Sequence, residues 1–523
     1  MSPQGTGIKV AKASAIITTA FVAGYLLSLI KEIIVARRFG ISGPMDAYYA
    51  AVAIPNLLAF VFVASVTAVF IPVYINHRRS DPLRADRFGS LVINKVMFFS
   101  VAVAILHFLL APVVIYYGFR GLDPETAVLA VSILRTTSAM LILFPLLGIF
   151  GNILNTFEHF TAPALAHPLI QIAILGLLLT ASSRYGVHVL VYGLIGGSLL
   201  SVLMVITVSV KYGFRYSAFS GYRGPFFEEF TRPLLLYVIV IISRQLIFFT
   251  DRAMAARIGP GSVSVIGYSQ NFMLVPLTIF AVSVATALFP YFSIQAAEKK
   301  ISEMKDTVKD AMRFSAFIFF PLTAFALLLS GPFIQVLFER GSFTSSATFL
   351  TSSAFSMYSL QFFFHGAELF LARFFLALRD VGFLFRAALF QVTANLILNM
   401  VFVRIINPPV AGLALSTSLV FIMIVLYYIR YLPVKGVSLN YKSIFSGIGK
   451  SFAAAVFTGI VLYLLRPLFQ EYFHSASTGG QAILLALYGF SGIIVYLLIL
   501  ILIKSSELKD ISRYIKRPQR LRS

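Results

Sequence analysis

Cysteine and tryptophan are both absent from the 523 residues. The first absence excludes disulfides, thiolate metal sites and cysteine nucleophiles. The second leaves the 24 tyrosines to supply aromatic belts at a membrane interface. Charge is scarce as well. Only 12% of residues are charged and 59% are hydrophobic, whereas soluble domains hold roughly a quarter charged residues. With a mean hydropathy of +0.89, the chain reads as an all-α integral membrane protein. Acids are the scarcer sign, 20 against 42 basic residues, for a net charge of +22. In a soluble protein that excess would point to nucleic acid; here it belongs to loops that orient helices in a bilayer, and no nucleic-acid partner is expected.

Enzyme signatures are missing too. No H-E-x-x-H occurs, and the 7 histidines are scattered. Ser446–Ser451 reads SGIGKS, but a phosphate loop needs glycine at 444, where Ile444 stands. No loop is long enough for a catalytic domain. The expectation is a secondary transporter with no cofactor, driven by Na⁺, H⁺ or the membrane potential.

Apolar runs of spanning length, each near the ~20 residues a helix needs, predict about 14 transmembrane helices. Lys9 and Lys12 precede the first run with no A-x-A cleavage site, so that helix is read as retained. Even-numbered connections are rich in cations, such as Arg78, Arg79, Arg84 and Arg87, then Lys299, Lys300, Lys305 and Lys309. Odd-numbered ones hold little more than Arg120, Arg184, Arg340, Arg404 and Arg466. By the positive-inside rule both termini are cytoplasmic, as an even helix count requires.

An internal duplication runs at a spacing of about 215–220 residues. Phe39-Gly40 returns as Ile258-Gly259, Ala64-Ser65-Val66 as Val282-Ser283-Val284, Pro112 as Pro332, Gln171 as Gln391, and Gly193-Leu194 as Gly412-Leu413. These matches imply two pseudo-symmetric lobes, 1–215 and 216–435, each of about six helices. A C-terminal helix pair, 436–504, and a basic tail, 505–523, lie outside the repeat. On the same offset Glu32 falls on Asp251.

Intramembrane charges are the candidate functional residues, because an ionised group in hydrocarbon costs roughly 2.5–3.5 kcal/mol on insertion scales. Lys31 and Glu32 sit in the first apolar helix, and Lys31, Val35 and Arg38 share one face of it. Two readings follow: a polar wall of an internal cavity, or a Lys31–Glu32 pair that neutralises itself. Asp46 opens the second helix and Arg135 lies inside the fourth. The seventh carries Arg244 and Asp251 on one face. A buried carboxylate becomes a cation site where neutral oxygens converge on it, and Asn395, Asn399 and Thr417 are placed to supply them. The alternative is a hydrogen-bonded cluster holding no ion.

Several stretches resemble one family. Asn152–Ala166 (NILNTFEHFTAPALA) is similar to the I-L-N-x-x-x-x-F-x-x-P-A-x-A signature of MurJ/MviN lipid II flippases. Leu329–Pro332, Leu337–Thr344, Ala372–Asp380 and the opening KEIIVARRFG…DAYYAAVAIPNLL are similar to other segments of that family, in order over nearly the whole chain. The resemblance implies a two-lobed bundle working by alternating access in the bacterial inner membrane. Its cargo is an undecaprenyl-diphosphate-linked saccharide, most simply lipid II for peptidoglycan, with the last helix pair forming a groove for the lipid tail. It also implies that Lys31, Arg135 and Arg244 hold the diphosphate while Glu32 and Asp46 make state-dependent pairs. A sodium site at Asp251, Asn395, Asn399 and Thr417 is implied likewise, and a monomer is expected. Tyr25 and Asn271 stand where the family usually has arginine. That thinner positive charge leaves a second cargo open, another lipid-linked oligosaccharide such as an O-antigen, capsule or exopolysaccharide unit.

Overall fold

The computed structural model describes residues 3–219, 221–378, 380–435, 441–475 and 477–505. The basic tail read from the sequence falls outside them beyond Ser505. The described chain is helical, with no named strand among those residues, and it divides into two compact units, Met1–Ser264 and Val265–Ser523.

In the first unit the order is α1 (Pro3–Phe39), α2 (Gly43–Ser80), α3 (Pro82–Gly118), α4 (Pro124–Thr136), α5 (Met140–Thr156), α6 (Thr161–Tyr185), α7 (His188–Lys211) and α8 (Arg232–Ala255). A 3₁₀ turn at Thr137–Ala139 joins α4 to α5, and a π-helical turn at Phe227–Thr231 precedes α8. The second unit holds α9 (Ser262–Pro276, whose first turn belongs to the first unit), α10 (Ser283–Ala297), α11 (Ile301–Phe338), α12 (Ser345–Ser359) and α13 (Phe362–Ala377). It continues with α14 (Val381–Ile405), α15 (Pro409–Tyr431), α16 (Tyr441–Ser475) and α17 (Thr478–Leu502).

Among the described residues eleven helices are long and apolar enough to span a membrane, or twelve if the bent pair α12–α13 is one span. The multi-pass, all-helical expectation stands, and these eleven or twelve do not by themselves confirm the expected count of about 14. Two further helices of spanning length, α1 with 37 residues and α8 with 24, carry the intramembrane charges.

Helix starts follow capping chemistry. Asp81 accepts from the Leu83 N–H at 2.9 Å ahead of α3, and Asp123 from the Thr126 N–H at 2.9 Å ahead of α4; a proline fills the next position in both. Proline there costs nothing because its missing N–H would have no intrahelical partner. Thr344 and Asp380 cap α12 and α14 in the same way.

The repeated Gly-Leu pair has a packing reason in each unit. A Cβ on Gly193 of α7 would meet the Ile174 backbone of α6, and one on Gly197 the Ile170 backbone. Small residues one turn apart let the two helices close to backbone contact. A Cβ on Gly412 of α15 would run into the Phe402 carbonyl of α14. The duplication thus preserves two tight helical hairpins, α6–α7 and α14–α15.

Within the first unit, residues 214–219 are laid along α3. Asp86 accepts from the Tyr74 hydroxyl at 3.0 Å and from the Arg215 N–H at 3.2 Å. Asn94 donates to the Ala218 carbonyl at 2.8 Å and accepts from the Tyr216 hydroxyl at 2.7 Å. Phe214 is buried in a core of Phe70, Phe88, Ile149 and Phe230. In the second unit α16 and α17 pack on α11, where the Tyr496 hydroxyl donates to the Phe317 carbonyl at 3.0 Å.

Candidate functional sites

The charged residues of α1 and α2 form one cluster inside the first unit. Lys31 Nζ lies 2.9 Å from Glu32 Oε1, with the two side chains 14% and 11% exposed. Glu32 Oε2 also accepts from the Tyr49 hydroxyl at 3.3 Å. Arg252 of α8 sits 5.6 Å above the Tyr49 ring and donates to the Tyr49 carbonyl at 3.5 Å. Lys31 is therefore not an open wall residue here. Adjacent helical side chains diverge by about 100°, but the long lysine stem reaches around to its neighbour. Val35, expected on an open face with Lys31, is buried, and only Arg38 at the end of that face is exposed. Tyr25 packs against His167 at 5.9 Å between ring centres, and the His167 ring occupies the space where Gly24 lacks a side chain.

Asp46 pairs with no cation among the described residues. It is 1% exposed and accepts from the Gly261 N–H at 2.5 Å, the Ser264 N–H at 2.7 Å and the Ser264 hydroxyl at 2.7 Å. The backbone N–H groups of a helix start lack intrahelical partners and carry the positive end of the helix dipole, so they satisfy a carboxylate as well as a cation does. Ser264 escaped the sequence reading, yet a signal was present: it lies at the repeat spacing from Asp46. Tyr49 had no comparable mark.

Arg135 stands apart from this cluster. It is exposed on α4, with its guanidinium carbon 5.2 Å from the Phe108 ring centre of α3. The side chain of Arg244 lies outside the described residues. Asp251 is fully buried on α8, in the first unit.

The other three residues of the expected ion site meet in the second unit. Asn395 Nδ2 donates to Thr417 Oγ1 at 3.0 Å, and Asn399 Nδ2 to Asn395 Oδ1 at 3.1 Å, all with no exposed surface. Their spacing puts both asparagines on one face of α14, against α15. Such a chain of amides and a hydroxyl offers neutral oxygens for a hard monovalent cation and also forms hydrogen bonds within itself.

Outside the spans, the displaced titratable groups include Asp123, Tyr222 and His159. Hydrogen bonds from the Thr126 hydroxyl and N–H hold the Asp123 carboxyl below its usual range. Burial, then the hydrogen bond to Glu229, pushes the Tyr222 phenol up to about 12. Partial burial lowers His159.

Residues 35–480 match the family model described as lipid II flippase MurJ. This chain belongs to the MurJ family. Its MurJ-family relatives include a lipid II flippase MurJ of Thermosipho africanus, 28% identical over 460 residues, covering 84% of this chain and 92% of that protein. A probable lipid II flippase MurJ of Thermotoga maritima is 26% identical over 502 residues, covering 95% and 98%. A solved lipid II flippase MurJ in an inward closed conformation superposes with a TM-score of 0.76 at 26% identity, over 93% of this chain and 98% of that one. A multidrug resistance MATE transporter in an inward-facing conformation shares the fold, with a TM-score of 0.67 at 13% identity.

Proposed function

We propose that this MurJ-family chain moves lipid II, the undecaprenyl-diphosphate-linked peptidoglycan precursor, from the cytoplasmic to the outer leaflet of the bacterial inner membrane. The observation that carries the reading is the match to lipid II flippases over nearly the full chain, 35–480. The relatives named for lipid II leave the alternative glycan cargo without support of its own.

In this reading Lys31 is held by Glu32 until a diphosphate arrives and takes its place. A lysine ammonium binds phosphate as a compact point charge, so the exchange keeps Lys31 matched, while Glu32 retains the hydrogen bond from the Tyr49 hydroxyl. Asp46 is the second moving part. Its bonds to Gly261 and Ser264 fasten the α1–α2 turn to the start of α9, and alternating access requires such a fastening to open and close. Asp251, Asn395, Asn399 and Thr417 are assigned to a coupling cation, Na⁺ by the oxygen-only donor set, with H⁺ on Asp251 as the other coupling mode. The recess of about 220 Å³ lined by Leu468, Phe469, Leu487 and Tyr488 on α16 and α17 suits the polyprenyl tail. The cation-rich even-numbered loops support a topology with both termini in the cytoplasm, and a monomer is proposed as the working unit.

The test is complementation of a flippase-depleted strain. Wild type restores growth and outer-leaflet lipid II; Lys31→Ala, expressed at the same level, does not. Growth restored equally by both removes the assigned role of Lys31.

A further inference from the structure

Arg135 has a setting that the cargo pathway does not explain. It lies eleven residues beyond Pro124, the first residue of α4, or roughly 16 Å along the helix at 1.5 Å per residue. It falls about a third of the way along the 33-residue span Pro124–Thr156. Among the described residues Arg135 forms no ion pair. Its one close neighbour of note is the Phe108 ring, which attracts the cation without neutralising it. A guanidinium cannot shed its proton to escape this cost.

The surroundings form a built pocket. Arg135 lines a recess of about 390 Å³ with Phe108, Tyr116, Val128, Ser132 and Thr136. Helical side chains tilt toward the helix N-terminus, so the guanidinium leans toward the end of the unit where Tyr116 sits two residues before the last residue of α3. Ser132 Oγ lies 3.4 Å from His188 Nε2 of α7, which adds a further polar group at the rim. With its carbon 5.2 Å over the Phe108 ring centre, the guanidinium still has N–H groups to offer a bidentate acceptor. The Ser132 and Tyr116 hydroxyls are additional donors. No carboxylate lines the recess, so the missing acceptor is an anion from outside the chain.

The flanks identify where that anion comes from. Ile105 and Leu109, on either side of Phe108 along α3, are 56% and 64% exposed, and Val128 at the mouth is 62% exposed. This is an outward apolar surface of the kind that faces acyl chains, so the anion must arrive on a lipid. We infer that the Arg135 recess is a lipid-phosphate site on the flank of the first unit, separate from the Lys31–Glu32 cluster, with the lipid tail lying along Ile105 and Leu109. The phosphate is that of an anionic phospholipid of the surrounding bilayer.

Delipidated full-length protein in a maltoside detergent is titrated with phosphatidylglycerol, with undecaprenyl diphosphate and with phosphate-free diacylglycerol, and adducts are counted by native mass spectrometry. Arg135→Gln is expected to weaken the first phosphate-lipid adduct by about tenfold, the scale of one charge-assisted bidentate contact. Diacylglycerol binding stays unchanged. Arg135→Lys and Ser132→Ala retain the fold and give smaller losses of a few-fold, Lys because it lacks the planar fork. Loss of phosphatidylglycerol binding supports the proposal, whereas loss confined to undecaprenyl diphosphate overturns it and returns Arg135 to the cargo. Equal adducts in wild type, Arg135→Gln and Arg135→Lys for both phosphate lipids overturn the proposal. Should Arg135→Gln not fold, unchanged adducts in both milder variants overturn it equally.

Discussion

The two units differ in how many carboxylates they bury. Among the described residues the first buries three carboxylates, Glu32, Asp46 and Asp251, whereas the second buries one, Glu368, among many amides and hydroxyls such as Gln391, Asn395, Asn399, Ser416 and Thr417. A buried charge must be matched by something that can itself be exchanged, as Lys31 matches Glu32 or the Gly261 and Ser264 N–H groups match Asp46. Neutral amides satisfy one another at little electrostatic cost and hold their geometry whatever the charge state nearby. The contrast suggests a division of labour. The first unit holds contacts that break and remake with an anionic cargo; the second presents a fixed array of oxygens.

The strongest way to break that contrast is to remove Asp46. Asp46→Ala strands two buried backbone donors, each worth about 1–3 kcal/mol when left unmatched, and is expected to abolish complementation and lower the thermal midpoint. Asp46→Asn, which keeps one acceptor oxygen, falls between. A midpoint equal to wild type in both variants would show that the contact to Gly261 and Ser264 contributes nothing.

Next in size is the Lys31–Glu32 pair. Removing one partner of a buried ion pair costs about 3–5 kcal/mol where desolvation is complete, and less here because both side chains keep some exposure. Glu32→Gln should lower activity more than stability, and the double variant Lys31→Met/Glu32→Met should recover stability without recovering transport. Recovery of both would mark the pair as structural.

A smaller effect separates the neutral array from the ions. Asn399→Leu is expected to weaken the sodium dependence of transport by about tenfold while leaving cargo binding intact, because one oxygen donor of several is lost. Unchanged sodium dependence in Asn399→Leu and in Asp251→Ala together would reduce the array to a hydrogen-bonded cluster.

The smallest effect lies outside the membrane. Asp123 caps α4 as a carboxylate, and its value is held down in the folded state. Its contribution is therefore present above the ordinary carboxylate range and is lost as pH falls through the depressed folded value. Asp123→Ala should cost about 0.5–2 kcal/mol at neutral pH, the usual worth of such a cap. Its midpoint should converge on wild type upon acidification, and a gap that widens instead would contradict the assignment.

Much of the fold was legible because its signals are local. Asp81-Pro82 and Asp123-Pro124 announce helix starts, and Gly193 and Gly412 mark close hairpins at the repeat spacing. One span was less so, since the α12–α13 bend of 45° divides what reads as one run. Within the candidate sites, charges in apolar runs stand out by their cost alone, which is how Lys31, Glu32, Arg135 and Asp251 were found. What those charges touch was not legible. A lysine stem that bends back on its neighbour, or a carboxylate that selects backbone N–H groups over a cation, depends on contacts between helices that no spacing encodes.

The most direct test of lipid II transport is outer-leaflet lipid II in cells whose only flippase is this chain. Wild type should sustain it, depletion should drive lipid II to accumulate on the cytoplasmic side, and Lys31→Ala should behave like depletion. Outer-leaflet lipid II that persists unchanged when the chain is depleted would contradict the account.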